Sequence, residues 1–209
     1  MDQNKKPSFE KAKNFFLGTN NDRTLEEYQC YLMMTDTQIA ELSGKKILNI
    51  GGGRAPLAKG LNERNITGFS ITNVEPYIGL DRHYNNQNIL IESDFLETNF
   101  NNQFNHVWAL YSLPYYAETP EQVIQTYRKA ITALAPGGIL RLYPAFDFEY
   151  NYQSSFNLTL KFIQHFNRNF PQNRIFRNTG GGVEFSAPGS QSDKDIMNYF
   201  LSKNININD

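Results

Sequence analysis

Lys46-Ile47-Leu48-Asn49-Ile50-Gly51-Gly52-Gly53-Arg54-Ala55 is an apolar run of strand length that stops on three glycines, and Pro56-Leu57-Ala58-Lys59-Gly60-Leu61 resumes it with helical character. Apolar residues without strict alternation suit a strand buried on both faces, and such a strand needs helices on either side of its sheet. Glycine after it frees the backbone for positive φ and for close approach of a ligand, while the next helix offers unpaired N–H groups at its positive end. Three glycines taken alone also suit a plain flexible turn, because a lone glycine pattern is a weak motif. What lies on either side decides between the two.

Upstream, residues 8–17 and 24–42 read as two helices. The second carries Leu25, Tyr28, Leu32, Ile39 and Leu42 along one face, with Gly44 available to end it. Residues 1–44 therefore form an N-terminal helical cap on the domain of residues 45–209, and the two together are expected to make one compact unit. The first role expected of the cap is to cover the sheet, and Tyr28 and Tyr31 are its residues best placed to close over a ligand. Downstream, the β-rich run from Ile66 to Val74 ends on Glu75-Pro76, which a right-handed crossover brings beside the glycine turn. An acid there can accept both hydroxyls of a ribose; alone it also reads as a solvated loop residue. Ile89 to Glu92 forms a third strand that closes on Ser93-Asp94-Phe95. Asp94 suits either an acceptor for a heterocycle's amino group, with the Phe95 ring on its face, or a helix N-cap.

Val107 to Tyr111 reads as a fourth strand that runs into Ser112-Leu113-Pro114-Tyr115-Tyr116, a loop rich in aromatic surface. A long amphipathic helix starts at Pro120 and runs through Ala135, closed by Pro136-Gly137-Gly138, and a fifth strand spans 139–143. Further on come a helix near 154–168, a strand at 174–178, a second glycine triplet at 180–182, a short strand over 183–186 and a helical tail at 192–201. The second triplet reads as a hairpin connection, since no long helix follows it to create an anion site.

Composition narrows the function. With 209 residues, 40% hydrophobic and 20% charged, the chain suits one globular α/β domain with a full core. A net charge of −1 supplies no field for a polyanion, so a nucleic-acid partner is not expected. One cysteine, Cys30, excludes an internal disulfide, and neither a CxxC nor a His pair at ligand spacing is present, so no metal is expected. The start of the chain lacks the apolar core of a signal peptide, and no apolar run reaches the ~18 residues of a membrane span. A cytoplasmic protein with no membrane partner is the expectation.

Over roughly residues 45–190 the order of parts resembles the class I S-adenosylmethionine-dependent methyltransferases. The family's first motif is similar to Asn49-Ile50-Gly51-Gly52-Gly53-Arg54-Ala55, its acid after strand two to Glu75, its Asp after strand three to Asp94, and its Pro-Gly-Gly before strand five to Pro136-Gly137-Gly138. The resemblance implies a doubly wound, Rossmann-like, mostly parallel α/β sheet with an N-terminal helical extension, in which the terminal hairpin places one antiparallel strand. It implies S-adenosylmethionine as cofactor and S-adenosylhomocysteine as product. Asn49, Gly51, Gly52 and Gly53 would hold the methionine end, Glu75 with Pro76 the ribose, and Asp94 with Phe95 the adenine. Tyr111 would border the cofactor too, and Tyr111, Tyr115 and Tyr116 are the candidates for the acceptor pocket. Asn49 stands where the family commonly carries an acid, and Ala55 where its third glycine would fall. If Asn49 faces the cofactor's ammonium, Asn49→Asp should leave affinity unchanged or improve it.

The activity this implies is methyl transfer to a small-molecule oxygen or nitrogen acceptor. A sulfonium-activated methyl asks the protein mainly for positioning and desolvation, which accounts for the lack of a triad. His106 and His165 read as structural and His83 as a weak base candidate. Three alternatives remain open: a degenerate member of the fold that binds without turnover, an amino-methyltransferase acting on protein or nucleic acid through Ser112-Leu113-Pro114-Tyr115, and an NAD-dependent oxidoreductase. Consecutive glycines in place of GxGxxG speak against the last. The sequence assigns no oligomeric state.

Overall fold

The computed structural model describes residues 23–52, 56–76, 88–114, 117, 120–143, 176–178 and 182–186. In chain order the elements are α1 (Leu25–Tyr31), α2 (Asp36–Ala40), β1 (Lys46–Ile50), α3 (Leu57–Glu63), β2 (Ser70–Glu75), β3 (Asn88–Glu92), a 3₁₀ turn (Phe95–Glu97), β4 (Phe104–Leu110), α4 (Pro120–Ala133), β5 (Leu134–Tyr143), β6 (Phe176–Asn178) and β7 (Val183–Ser186). The helices expected at 8–17, 154–168 and 192–201 lie outside the described residues.

The seven strands form one sheet in the order β3-β2-β1-β4-β5-β7-β6. β1 to β5 run parallel, and β7 is antiparallel to both β5 and β6. This is the doubly wound α/β arrangement, mostly parallel, with a terminal hairpin supplying the reversed strand. Strand order turns around between β1 and β4, and ligands of open α/β sheets bind at such a switch point, outside the carboxyl ends of the strands. The glycine turn after β1 sits there.

Alternation along the strands feeds two cores. Leu48, Ile50, Val74, Val107, Ala109, Leu140 and Leu142 face α4, meeting Val123, Tyr127, Ala130 and Ile131. On the other face Ile47, Ile71, Trp108 and Leu110 meet Leu25, Tyr28, Ile39, Leu57 and Leu61 of the N-terminal helices and α3. α1 reaches α3 closely enough that a Cβ on Gly60 would lie 2.7 Å from the Leu25 Cβ, so a larger residue at 60 would push the two helices apart. Arg64 ties the same layer at its rim, donating to Gln29 Oε1 (2.8 Å) and pairing with Glu26 (3.2 Å) and Asp36 (3.4 Å).

Three expected boundaries are corrected. The single helix expected over 24–42 is two short ones, because Met33 takes φ +50 and Thr35 begins a new helix with a capping box, its Oγ1 accepting from the Gln38 N–H (3.2 Å) while Gln38 Oε1 accepts from the Thr35 N–H (3.0 Å). The second strand begins at Ser70 and not at Ile66, since Gly68 turns the chain at φ +71. The helix expected through Ala135 ends at Ala133. β5 begins at Leu134 and carries Pro136-Gly137-Gly138 within it as an irregularity in its pairing with β4. Gly138 is confined there by three carbonyls that a Cβ would approach at 2.9 to 3.1 Å.

Candidate functional site

Gly51 leaves β1 at φ +71, and its N–H donates to the Val74 carbonyl at 2.8 Å. A Cβ there would run into the Cβ of Ser112, the second residue after β4. Positive φ and close packing both require glycine at this point. Ser112 is buried, and its hydroxyl donates to the Ile50 carbonyl at 2.7 Å, so the carboxyl ends of β1 and β4 are stitched together under the turn. Gly53 lies outside the described residues.

Under Gly52 runs a ladder of side-chain amides. A Cβ on Gly52 would strike the amide nitrogen of Asn49 and the side-chain oxygen of Asn73, which are hydrogen bonded to each other at 3.0 Å. Asn73 in turn donates to Asn88 Oδ1 (2.5 Å) and to the Ile89 carbonyl (3.3 Å). At the other end the Tyr28 hydroxyl donates to Asn49 Oδ1 at 2.9 Å. Asn49 and Asn73 are fully buried, and Asn49 has both amide ends engaged by its own chain. Asn49 thus forms the floor of the turn. Burial pushes the Tyr28 hydroxyl up to about 12, partly offset by its hydrogen bond to Asn49, so it stays a protonated donor.

Glu75 ends β2, half-buried, and its carbonyl accepts from the Ser93 N–H at 3.2 Å, which ties the ends of β2 and β3. Its carboxylate is near enough to Tyr28 to oppose ionisation of that hydroxyl. Pro76 follows in a half-buried bend. Asp94 caps the 3₁₀ turn, accepting from the Leu96 N–H through Oδ1 at 2.8 Å. Phe95 is 3% exposed and packs in the core on the α4 face with Ile50 and Val74. Of the pair read from the sequence, Asp94 is half-buried at the strand end and the Phe95 ring is within the core.

Tyr111 follows β4 at φ +49, and its N–H donates to the Tyr143 carbonyl at 2.6 Å. Its ring meets those of Tyr31 and Tyr143, and the Arg23 guanidinium lies over it. Tyr115 and Tyr116 lie outside the described residues, as do His83 and His165. His106 sits in the amino half of β4, paired with Ile47, away from the strand ends. Burial and then the charges of Arg141 and Lys45 hold it down at about 4, neutral at physiological pH. Among the described residues no cluster of side chains suits a metal, and no helix is long and apolar enough to cross a membrane.

At the switch point Gly51 is in contact with Ser112, the residue after Tyr111, while Glu75 and Asp94 lie at the carboxyl ends of the next two strands of the sheet. Sequence reading missed Asn73, Asn88, Arg23 and Tyr143. Asn73 had a visible signal, an amide between the apolar Ile71 and Val74 of a strand.

The chain has the fold of the class I S-adenosylmethionine-dependent methyltransferases. It is similar to the N-methyltransferase NodS from Bradyrhizobium japonicum, whose structure is a complex with S-adenosyl-L-homocysteine, at 14% identity and TM-score 0.54 over 84% of this chain and 96% of that one. It also matches spermidine synthase from Thermotoga maritima (16% identity, TM-score 0.49, 80% of this chain and 62% of that one). A third match is Burkholderia thailandensis 1,6-didemethyltoxoflavin-N1-methyltransferase (15%, TM-score 0.42, 54% and 53%). For several of the matched structures the similarity spans only about half of the known chain. No family model matches the chain, and no curated protein does.

Proposed function

We propose that the chain binds S-adenosylmethionine at the switch point and transfers its methyl group to a small-molecule acceptor. The observation that carries this reading is the turn itself, in which Gly51 leaves β1 at positive φ and packs on Ser112 while Glu75 ends β2 and Asp94 follows the end of β3 by two residues. The donor set fits the group. Glu75 would accept the ribose hydroxyls, Pro76 would shape the bend beside it, and Asp94 would accept from the adenine amino group. Gly51 to Gly53 would let the ligand approach the backbone, over the floor laid by Asn49. When bound, the cofactor supplies a methyl group activated by a sulfonium. The protein's own part is to orient the acceptor beside Tyr111 and exclude water, with Tyr115 and Tyr116 as further candidates for the acceptor pocket.

One observation favours a second reading, binding without turnover: Asn49 has both amide ends engaged internally and offers no charge to the methionine end. Calorimetry with S-adenosylhomocysteine, S-adenosylmethionine and NAD tests the first reading. Binding of the first two, weakened by about 2 to 4 kcal/mol in Glu75→Ala because hydrogen bonds to a charged acceptor are lost, is the expected result. No binding by the native chain removes the reading; binding without methyl transfer to any acceptor tried favours the second.

A further inference from the structure

Three tyrosines from three elements meet beside the switch point. Tyr31 ends α1, Tyr111 follows β4 and Tyr143 ends β5. Their ring centroids are 5.4 Å (Tyr31 to Tyr111), 5.0 Å (Tyr31 to Tyr143) and 5.6 Å (Tyr111 to Tyr143) apart, two pairs edge-on and one tilted. All three are half-buried against the core of the N-terminal face. Tyr111 is held at φ +49, a left-handed conformation that an aromatic side chain rarely adopts. Such strain persists only where the surroundings over-determine it, and it gathers at ligand sites. Here the bond from the Tyr111 N–H to the Tyr143 carbonyl and the two neighbouring rings fix it.

The chain's own cation already uses the ring so presented. The Arg23 guanidinium carbon lies 4.3 Å from the centroid of Tyr111, within cation–π range. Burial, and then the contact with Tyr31, raise the Tyr111 hydroxyl, so the ring is a neutral phenol at physiological pH. The attraction arises from its negative face and not from a phenolate. The position is also right for a ligand site, because the next residue, Ser112, is the one packed under Gly51.

We propose that the Tyr31, Tyr111 and Tyr143 cluster is a binding site for an organic cation, a quaternary or protonated ammonium group, and that Arg23 holds its place over Tyr111 until such a group displaces it. The proposal rests on the methyl-transfer reading only in its corollary, that the acceptor of that reaction carries a cationic anchor. The ammonium would be the anchor and not the nucleophile, since a nitrogen with four bonds has no lone pair to receive a methyl group. Arg23 immediately precedes Thr24, the N-cap of α1, so its withdrawal moves a side chain ahead of the helix and leaves the helix's own hydrogen bonds in place.

The test uses the full chain and two probes of one shape, choline and its uncharged isostere 3,3-dimethylbutan-1-ol, titrated with ligand-detected NMR. Choline is expected to bind more tightly, on the order of tenfold. Arg23→Ala should tighten choline further by several-fold, because a competitor for the ring is gone, and Tyr111→Leu should erase the preference for charge. Equal binding of the two probes overturns the proposal, and so does an Arg23→Ala chain whose choline affinity is unchanged or lower. Should Tyr111→Leu fail to fold, judged by circular dichroism, the Arg23→Ala arm decides. Thermal shift with S-adenosylhomocysteine on the same samples separates the two readings: a choline preference without a shift keeps the cation site and removes methyl transfer, and the converse removes the site alone.

Discussion

The two halves of the sheet are cross-linked by opposite kinds of buried polar group. From β1 to β3 the tie is neutral, the amides of Asn49, Asn73 and Asn88 closed off by the Tyr28 hydroxyl. Between β5 and β7 it is ionic: Arg141 and Glu184 are paired in register and lie 2.7 Å apart, with side chains only 3% and 12% exposed. An amide ladder can satisfy donors and acceptors in series without any group carrying charge, so the floor of the glycine turn is fully buried yet neutral. An ion pair recovers its desolvation only when both partners stay in place. The difference predicts that the two halves fail under different insults.

The largest effect is expected on the ionic side. Glu184→Gln keeps the shape of the side chain and leaves a charged guanidinium buried, at a cost of about 3 to 5 kcal/mol, or roughly 6 to 20 °C in melting temperature. Replacing both partners, Arg141→Met with Glu184→Leu, should recover most of that loss, because an apolar pair needs no desolvation of charge. A single variant that melts with the native chain would show that the pair does not hold β7 to the sheet.

Acid should strike the same half next. His106 sits on β4 beside Arg141 and is held down at about 4 from an ordinary 6.5 by burial and by that neighbour's charge. A depressed pKa contributes stability above 6.5 that is lost as pH falls through 4, because the unfolded chain takes up the proton first. The loss over that window is on the order of 3 kcal/mol. His106→Gln should flatten the acid limb of stability against pH, read by urea denaturation at pH 7 and pH 4.5; an unchanged limb would mean that other groups carry it.

Much of this contrast could not be read from the chain. The strands themselves were legible because β1, β2 and β4 are apolar runs broken by glycine, proline and acids, and their mostly parallel, doubly wound arrangement followed from the family resemblance. The pairing of Arg141 with Glu184 depends on the register of β5 against β7, 43 positions apart in the chain. Nothing local marks either residue. The ladder was half visible: Asn49 stood out, yet its meaning changes once β2 is laid beside β1 in the register Asn49 to Asn73. The capping boxes Thr24 with Glu27 and Thr35 with Gln38 are local signals, the first marking the start of the helix expected over 24–42 and the second its division. The Asp94 site was legible in both its readings, and the cap is the one the side chain displays here.

A smaller effect is expected on the neutral side, and it reverses an expectation drawn from the sequence. Asn49→Asp keeps an acceptor for Tyr28 but replaces the donor that meets Asn73 Oδ1 with a second oxygen. That sets an anion against a carbonyl in a fully buried position, at a cost of about 2 kcal/mol or more. The variant should melt lower and, with its turn floor disturbed, bind S-adenosylhomocysteine no better than the native chain. Improved affinity would instead place Asn49 against the ligand, as the sequence alone suggested.

The smallest effect belongs to Tyr28, and its sign depends on pH. Tyr28→Phe leaves a ring in the core beside Trp108 but removes the donor to Asn49 Oδ1, which then stays buried with one bond fewer, a cost of about 1 kcal/mol near neutrality. The native hydroxyl is raised from 10 to about 12, so its contribution is whole below pH 10 and is lost as pH climbs through 12, where the unfolded chain ionises and the folded one resists. The phenylalanine variant has no such proton to lose. Its stability curve should therefore lie below the native one at pH 7, meet it between pH 10 and 12, and cross above it at higher pH. Chemical denaturation of both chains at pH 7, 9 and 11 measures the crossing; parallel curves would mean that the Tyr28 hydroxyl is not the buried end of the ladder, and the neutral half would then be joined to α1 by packing alone.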